Sequence, residues 1–549
     1  MFTLGSKENA APWIVARESA SRHRPDSGPM VPRMEVNKTL QARFTRTVAA
    51  VVFAGLALSL AGCHVAPPYV RPKIEIPPSY KELPSPGSQG SPLWKQSEPK
   101  DDTVRGRWWE AFKDAEMNEL QEKVNISNQN ISAAAASYLA ARASIREARS
   151  HYYPTVTVDP SIINSRPSRG QYGGLHATGI PNATLSVTSY TNYSFPAMAS
   201  WEPDLWSRVR LSAKKGYLAA QASAADLENV RLATHAELAV TYYELRGQDT
   251  LKELLDSTVA SYRGALDLVQ AQYQAGISNE EAVASAETQL RAAEAQRTKI
   301  GVLRAQYEHA IALLVGKPAS EFTLAPRPLT ANPPQTPVGV PSDLLERRPD
   351  VAAAERAVAQ ANAQIGLART AFFPSLFLGA LGGFGNLSIS DWFSWPARFW
   401  SIGPAMAYTL TDGGSRRAIL DQARAAHEQT VANYRQTVLT AFQQVEDGLS
   451  ALRILSLAVE QQDAAVRAAE RNLDAAMTRY QAGLEAYLHV INAQTSLLSA
   501  QQNAVTFRVQ RMVASVQLIK ALGGSWNISE IPSSQEMIAK PALGSTVSQ

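Results

Sequence analysis

Cysteine is almost absent from this sequence: Cys63 is the only one among 549 residues. One thiol cannot form an intramolecular disulfide framework, and it cannot build a cysteine-ligated zinc or iron–sulfur site. The eight histidines are scattered without an HxxxH or HExxH spacing, so no metal site is predicted. No nucleophile–base pair stands out either, and the sequence therefore gives no reason to expect an enzyme.

A basic excess is also lacking once the N-terminal leader is set aside. The formal net charge is +4, but residues 1–62 hold eight basic and four acidic residues, so the rest of the chain is neutral. A neutral chain has no electrostatic footprint for nucleic acid. We therefore expect no nucleic-acid partner.

The uncharged apolar run at residues 48–60 is too short for a comfortable transmembrane helix. Three basic residues between positions 38 and 46 precede it, and LAGC at 60–63 ends it, which is the layout of a secretory signal. The motif resembles a bacterial lipobox, in which Cys63 receives a diacylglycerol, carries acyl chains such as palmitate and becomes the new N-terminus. An ordinary signal peptide with an incidental cysteine is the alternative. His64 in place of an aspartate favours delivery to the outer membrane.

Composition divides the chain into five parts. Residues 1–62 are the leader, and residues 63–106, rich in Pro, Ser and Gly, are predicted to be an extended tether or simply disordered. Two repeats follow at 107–326 and 327–525. Residues 526–549 are predicted to be a flexible tail.

Long helices dominate both repeats. Apolar residues at helical spacing predict helices over 115–150, 205–271, 279–316, 343–370, 414–479 and 486–522. The second of these would be about 100 Å long, which exceeds an ordinary domain. Seven-residue spacings in the two longest helices predict coiled-coil packing. The series are Leu255, Tyr262, Val269; Val259, Leu266, Tyr273; and Leu452, Val459, Val466, Leu473, Tyr480.

Four strands interrupt the helices. Alternating, β-branched and aromatic residues predict them at 153–163, 184–201, 373–384 and 399–411. Strands of about 9–11 residues suit a tilted transmembrane barrel. Aromatic residues cluster at the strand ends, as in membrane interfaces: Trp201, Trp392, Trp395, Phe399 and Trp400. A sheet on a soluble domain is the alternative, and it would need helices to cover it.

The two halves repeat each other. YQAG recurs at 273–276 and 480–483, and PAMA recurs at 196–199 and 404–407. Each half therefore reads as helix, β-hairpin, long helix, tight turn and returning helix. Four strands cannot close a barrel, and open sheet edges are costly in lipid. If the strands lie in a membrane, oligomerisation is required, and three copies would supply twelve strands.

Three further motifs carry a family resemblance. RWWEAFKD at 107–114 opens the first repeat, WEPDLW at 201–206 follows the first hairpin, and LERRPD at 345–350 opens the second repeat. With these motifs the chain resembles, over about residues 63–525, the outer membrane factor family of TolC-like and OprM-like efflux ducts. Within that family it resembles the lipid-anchored NodT-type branch. Ser207 stands where the family pattern WExDLWG has its last glycine.

The resemblance implies a membrane α/β fold: a homotrimer with a twelve-stranded transmembrane β-barrel, four strands per subunit, continued by a long α-helical periplasmic tunnel. It implies a lipid-anchored channel of the bacterial outer membrane that extends into the periplasm and conducts drugs, toxic compounds or metals without chemistry. Its partners would be a periplasmic adaptor protein, an inner-membrane pump, most simply of the resistance-nodulation-division type, and outer-membrane lipid. No cofactor is expected apart from the covalent lipid on Cys63. A polypeptide-secretion duct, a major-facilitator pump partner and a non-channel periplasmic lipoprotein are the alternatives.

The resemblance also assigns roles at the far ends of the long helices. Adaptor contact is expected at the tip turns, at Tyr273, Gly276, Arg479, Tyr480 and Gly483. A closing aperture is expected in the next turns, at Glu280, Glu281, Ala282, Glu485, His489 and Asn492. His489 stands where the family pattern has an aspartate, so a pH-sensitive ring is one hypothesis and a solvated surface histidine is the other.

Strand-to-helix junctions are expected at Pro203 and Asp204 and again at Asp412 and Gly413. Proline suits a first helical turn, and aspartate favours its positive end. The motif at 347–350 is likewise interpreted as a helix start whose arginines pair with neighbouring groups.

Overall fold

The structure is a computed structural model, and it describes most of the two repeats and part of each terminal region. The described residues are 65–82, 94–96, 107–166, 189–334, 336–338, 341, 344–524 and 528–538. The leader at 1–62 and the predicted lipid attachment site, Cys63, lie outside them.

Helices make up most of the described chain. They are α1 (Ala115–Ser127), α2 (Gln129–Ser150), α3 (Arg208–Gln274), α4 (Glu280–Leu314), α5 (Leu344–Arg347), α6 (Pro349–Thr370), α7 (Ser415–Gln481), α8 (Tyr487–Ala521) and α9 (Ser534–Ile538). A shift of 207 residues carries α3 onto α7 and α4 onto α8. None of the helices in the described ranges combines the length and the apolar composition needed to cross a membrane.

Two of the predicted helices are each interrupted once. The helix predicted over 115–150 breaks at Asn128, whose side-chain oxygen accepts hydrogen bonds from the backbone N–H groups of Asn130 and Ile131 and so starts α2. The helix predicted over 343–370 breaks at Arg348, because Pro349 disfavours a helical residue before it. Pro349 is the first residue of α6, and Arg348 forms a two-pronged ion pair with Asp350, as the sequence motif predicted.

The heptad series of α3 faces other helices as predicted. Leu255, Val259, Tyr262, Leu266 and Val269 are all buried, whereas the last member, Tyr273, is exposed at the helix end. In α7 the heptad residues Leu452 and Val459 are buried. Near the sheet the helices pack in the order α2, α3, α6, α7, and towards the tip in the order α4, α3, α8, α7. The protomer is therefore a wall of helices whose lateral edges are α2 and α4 on one side and α7 on the other.

The strands are β1 (Trp94–Gln96), β2 (Thr155–Val158), β3 (Ser161–Ser165), β4 (Tyr190–Trp201), β5 (Thr336–Val338), β6 (Ser375–Asn386) and β7 (Arg398–Ala407). β1 and β5 form a small parallel pair. The others form one antiparallel sheet in which β2 and β3 both pair with β4, β4 pairs with β6, and β6 pairs with β7. The two hairpins thus join into a single sheet.

The strand predicted over 153–163 is divided into β2 and β3. Both keep one register on β4, with Val158 opposite Ala197 and Ser161 opposite Ser194. The break falls at Pro160, which has no N–H to donate to the ladder. The other three predicted strands begin or end a few residues from the observed bounds, and residues 184–188 of the second lie outside the described residues.

Both terminal segments are docked on the helical wall. Residues 65–82 are extended, and Tyr80 is buried in the groove between α7 and α8. The prediction of a flexible tail is wrong for residues 528–538, because Met537 is buried against α2 and α3. The guanidinium group of Arg142 donates to the backbone oxygens of residues 536 and 537, which holds α9 in place.

Candidate functional site

The antiparallel sheet has two chemically different faces. Register places one set of side chains on what we call the apolar face: Val156, Val158, Ile162, Tyr193, Phe195, Ala197, Ala199, Trp201, Leu376, Leu378, Ala380, Gly382, Phe384, Trp400, Ile402, Pro404 and Met406. At the end of the sheet nearest the β6–β7 turn, this face also carries the polar residues Asn164, Thr191, Asn386 and Arg398. The opposite, polar face carries Thr155, Thr157, Ser161, Ser194, Ser200, Ser375 and Ser401 among glycines and some apolar residues. On the apolar face Trp400, Ile402 and Met406 are each more than 70% exposed, so nothing in the described chain covers them.

Both edges of this sheet are open within the described chain. β7 pairs only with β6, and β2 and β3 pair only with β4. Inside the sheet the backbones approach closely at Gly383, where a Cβ atom would collide with the carbonyl oxygen of Phe195. The glycine run at 379–385 therefore lies within strand β6 and serves sheet packing.

Aromatic side chains mark both ends of the sheet, as the sequence predicted. At the β6–β7 turn, Trp392 stacks on Phe393 with ring centres 4.9 Å apart, and the guanidinium of Arg398 lies 3.6 Å from the ring centre of Trp395. At the opposite end the indole of Trp201 donates to the carbonyl oxygen of Tyr152. Amphipathic rings at two levels of one sheet are typical of the two interfaces of a membrane.

An aspartate–arginine pair starts each long helix. Asp204 accepts hydrogen bonds from the backbone N–H groups of Val209 and Arg210 and pairs with the Arg210 side chain at 3.0 Å. Asp412 does the same with Arg416, at 2.7 Å from the guanidinium. The predicted junction aspartates therefore cap α3 and α7 at their positive ends.

The predicted role of Pro203 is wrong in detail. α3 begins only at Arg208, so Pro203 precedes the first helical turn. At the second junction Gly413 has a φ of 63° and Gly414 a φ of 92°, and both therefore adopt the left-handed conformation that glycine allows. Ser207, which stands where the family pattern has glycine, also has a positive φ, of 62°.

The tip turns at Gly276 and Gly483 have the same geometry. Each glycine has a φ of 72°, and its N–H donates to the carbonyl oxygen three residues earlier. The next residue, Ile277 or Leu484, bonds back five residues, which completes a Schellman C-cap. Both residues are more than 70% exposed, so each turn presents an uncovered apolar side chain.

The two tip turns contact each other through Tyr480. Its hydroxyl donates to the side-chain oxygen of Gln272 at the end of α3, and its ring packs on Tyr487 with centres 5.1 Å apart. Arg479 forms an ion pair with Glu485 at 2.9 Å. Burial, with the neighbouring Tyr480 and Tyr262, raises the pKa of Tyr487 to about 12. The tip of one repeat is thus tied to the tip of the other by the uncharged hydrogen bond between Tyr480 and Gln272, whereas the Tyr480–Tyr487 ring packing lies within the second repeat.

The predicted aperture residues lie in the first two turns of α4 and α8, except Glu485, which precedes α8. Glu280, Glu281, His489 and Asn492 are exposed. Ala282 is half-buried, and its N–H is capped by the Asn279 side chain. Because Glu485 is paired with Arg479, it is not a free acid in this structure. The geometry of one chain places these residues close to the tip turns and leaves their role in an aperture a prediction.

A buried charge network was not predicted from the sequence. Arg246, 1% exposed, pairs with Asp249 at 2.8 Å and with Glu116 at 2.5 Å, and it donates to the carbonyl oxygen of Ala325. Arg304 pairs with the other oxygen of Asp249 at 2.7 Å. Since Glu116 lies in α1 and Ala325 follows α4, the network fastens two connecting segments to α3.

The opening motif of the first repeat is part of the same packing. Trp108, Trp109 and Phe112 are buried in the largest hydrophobic cluster of the described chain. The imidazole of His235 stacks on Trp109 at 4.4 Å. Burial, with a contribution from Arg231, lowers the pKa of His235 to about 4, so the ring is neutral at ordinary pH. These residues have a structural role.

Comparison with known proteins identifies the family. A profile described as outer membrane efflux protein matches residues 120–317 and 340–524, one segment in each repeat. The chain belongs to the outer membrane efflux protein family. It is 28% identical over 484 residues to the probable efflux pump outer membrane protein TtgC of Pseudomonas putida, covering 87% of this chain and 96% of TtgC. It is 30% identical over 487 residues to the solvent efflux pump outer membrane protein SrpC of Pseudomonas putida, covering 86% of this chain and 97% of SrpC.

The fold agrees with solved structures of the family. The outer-membrane channel OprN superposes with a TM-score of 0.74 at 27% identity, over 84% of this chain and 99% of OprN. The chain therefore has a TolC-like fold with two outer membrane efflux repeats, and it is an outer-membrane efflux channel that extends into the periplasm. Membership of this non-enzymatic channel family agrees with the sequence, which gave no reason to expect an enzyme, and decides against the non-channel lipoprotein that the sequence left open.

Proposed function

We propose that this efflux channel works as a lipid-anchored homotrimer, whose twelve strands close a β-barrel and whose helices form a periplasmic tunnel. It passes small molecules from a periplasmic adaptor and an inner-membrane pump to the exterior. Within the family it belongs to the NodT-type lipoprotein branch.

One observation is the main support for a trimeric barrel: the sheet is apolar on one face and open at both edges. In lipid, each unpaired backbone group of an open edge costs several kcal/mol, so the edges of β7 and of β2 with β3 must find partners. Because the two edges are different, they pair head to tail between copies, and a closing rotation gives a ring. The apolar face then lies outward in lipid, and the polar face lines the lumen.

The helical wall has matching open edges. On one side Leu139 of α2 and Val302 and Leu303 of α4 are exposed. On the other side Leu439, Ile454 and Leu457 of α7 are exposed. These apolar side chains bury each other when α7 of one copy packs against α2 and α4 of the next copy. The helix edges and the sheet edges therefore pair between the same neighbouring copies, so both would close in one ring of protomers.

The path of the N-terminal segment supports lipid attachment at Cys63. The side-chain amide of Asn362 donates to the carbonyl oxygen of Pro67, and Ala66 lies against Gly366. α6 ends four residues beyond Gly366, at Thr370, and β6 begins at Ser375. Cys63 is three residues before Ala66, a reach of about 10 Å. An acylated Cys63 would therefore sit next to the membrane-embedded sheet.

The tip turns supply the surface for the adaptor. Ile277 and Leu484 are exposed on tight turns whose backbone is fixed by Gly276 and Gly483, so a partner meets a preformed apolar contact. The pump is proposed to be of the resistance-nodulation-division type. The cargo class is proposed to be small organic compounds, because the chain is similar to SrpC, which is named a solvent efflux pump outer membrane protein.

The test is oligomeric mass and conductance of the purified full-length protein. Light scattering should give a trimer, and planar-bilayer recordings should give small, mostly closed channels. Mass spectrometry of the mature N-terminus should find an acylated Cys63. A monomer without conductance would refute the barrel, and an unmodified N-terminus would refute the lipid anchor.

Adjacent residues of β7 provide a matched pair of variants. Ile402 lies on the apolar face and Ser401 on the polar face, and both are exposed. Ile402→Arg should lower membrane insertion by about 2–4 kcal/mol, because it places a charge in lipid, whereas Ser401→Arg should insert normally. Equal insertion of the two variants would contradict the assignment of the faces.

A further inference from the structure

Five basic residues form a set beside the sheet that the efflux function leaves unexplained. They are Arg146 and Arg149 of α2, Lys214 of α3, Arg369 of α6 and Arg417 of α7, and we call them the basic belt. Each lies within six residues of the helix end nearest the sheet, which is about 9 Å along the axis. All four helices that meet the sheet therefore carry a cation at the same level.

The basic belt lies on the outer side of the wall. A cavity of about 730 Å³ below the sheet is lined by five polar-face residues and two apolar-face residues, so it lies mainly on the lumen side. The five are Thr155, Ser200, Ser375, Phe377 and Ala407, and the two are Trp201 and Leu376. Its lining on and beside the helices comprises His151, Arg208, Val209, Ser212, Gln364, Leu367, Ala368, Thr370, Ala371 and Ile419. At 100° per residue the belt residues lie about 100–160° from these lining positions on their own helices.

Two docked segments agree with this outer side. Arg146 and Arg149 share a helix face with Arg142, which contacts the C-terminal segment. Asn362 and Gly366 lie on one face of α6, on the side away from the cavity, and both contact the N-terminal segment. Both terminal segments thus run along the surface on which the belt lies.

The belt cations differ from their neighbours because none forms an ion pair among the described residues. Four other cations near this level are paired: Arg208 with Glu202, Arg210 with Asp204, Arg416 with Asp412 and Arg424 with Asp421. Lys215, which follows Lys214, has no ion pair among the described residues and lies about 100° away from Lys214 on α3. Glu147, the acid nearest in sequence to Arg146, projects about 100° away on α2. Arg146, Lys214 and Arg417 are exposed, and Arg149 and Arg369 are half-buried.

We propose that the basic belt binds the headgroups of anionic phospholipids in the periplasmic leaflet of the outer membrane. This rests on the proposed membrane position of the sheet, since the apolar face continues directly into the belt. Cations beside an anionic leaflet are attracted over about a Debye length, and the paired neighbours cannot contribute in the same way. With the chain neutral after residue 62, the belt is a local feature of the surface and does not reflect an overall charge.

The experiment uses the full-length protein in nanodiscs of phosphatidylethanolamine with a small fraction of phosphatidylglycerol. Lipids retained after extraction into mild detergent are quantified by mass spectrometry. The belt variant combines Arg146→Gln, Lys214→Gln and Arg417→Gln. The control variant removes the same charge far from the sheet, with Lys299→Gln, Arg467→Gln and Arg471→Gln, all exposed in α4 and α7.

The wild type and the control variant should enrich phosphatidylglycerol over its bulk fraction. The belt variant should lose at least about fivefold of this enrichment, because even one cation near an anionic surface contributes about that factor. Equal enrichment in the belt variant, or an equal loss in the control variant, would overturn the proposal. So would displacement of the lipid by inorganic phosphate, which would indicate a simple anion site.

Mass and conductance of the same variants separate this proposal from the proposed function. If the belt variant is a conducting trimer that enriches phosphatidylglycerol normally, only the belt proposal fails. If the wild type is a monomer or does not conduct, the proposed function fails.

Discussion

Removing the buried Arg246 side chain should destabilise the protein far more than removing an exposed arginine of the same helix. In Arg246→Met, Asp249 and Glu116 lose a partner that is 1% exposed and lies within 2.8 Å of both. Breaking a buried ion pair by removing one partner costs about 3–5 kcal/mol. Asp249 keeps Arg304 and accepts from the backbone N–H of Arg327, so the lower end, about 3 kcal/mol, is expected.

Arg263→Met is the matched control. Arg263 also lies in α3 and pairs with Glu294 at 2.8 Å, but its side chain is 61% exposed. An exposed pair contributes about 0.2–1 kcal/mol. The two substitutions remove the same groups from one helix, so the difference between them reports the burial of the network.

The assay is guanidinium unfolding in detergent, followed by far-UV circular dichroism with identical incubation times. The midpoint shift of Arg246→Met should be at least about three times that of Arg263→Met, from the two cost ranges above. A shift no larger than that of the control would refute the reasoning. It would mean that the network of α1, α3 and the segment after α4 adds nothing beyond surface pairing.

Three other changes test separate parts of the structure. Gly383→Ala should impair assembly of heat-stable oligomers because its Cβ meets the backbone of the next strand, whereas at Gly382 the nearest atom is 3.8 Å away and alanine should be tolerated; equal yields would contradict this. Burial lowers the pKa of His235 from 6.5 to about 4, so stability is complete above 6.5 and falls by about 3 kcal/mol as pH drops to about 4; His235→Gln should flatten the pH dependence of the unfolding midpoint, and an unchanged slope would count against it. Tyr480→Phe removes the hydrogen bond between the tip turns and should raise open probability in planar bilayers, whereas Tyr273→Phe, at the equivalent position of the first repeat, should not.

The sequence predicted the helices and strands well because their signals are local. Heptad spacing in α3 and glycine at the tip turns depend only on neighbours along the chain, and Gly276 and Gly483 indeed have the same left-handed conformation. The same locality explains the miss at Asn128. Its cap on α2 is a short-range signal, but its side-chain amide is held by the carbonyl oxygen of Leu314, 186 residues away. Asparagine is a common helix-capping residue, but the sequence alone did not show that the helix would break at Asn128.

The docked terminal segments could not be predicted from composition. Proline-rich residues 65–82 have no periodicity, and what fixes them are single contacts with residues hundreds of positions away. The carboxylate of Glu446 accepts from the backbone N–H groups of both Lys81 and Glu82, and the Tyr69 hydroxyl donates to the buried Glu355. A free tether and a docked segment have the same kind of sequence. They differ only in the hydrogen-bond acceptors that the fold brings beside them.

The internal repeat explains where such contacts occur. A shift of 207 residues carries Arg246 onto Arg453, and both arginines bind a carboxylate from a segment outside the long helices. Arg246 binds Glu116 of α1, and Arg453 binds Glu82 of the N-terminal segment at 2.6 Å. The first pair is buried and the second is half-exposed, because the connecting segments of the first repeat cover α3 more fully. One helical framework used twice therefore offers equivalent docking positions, and each repeat fills its position with a different part of the chain.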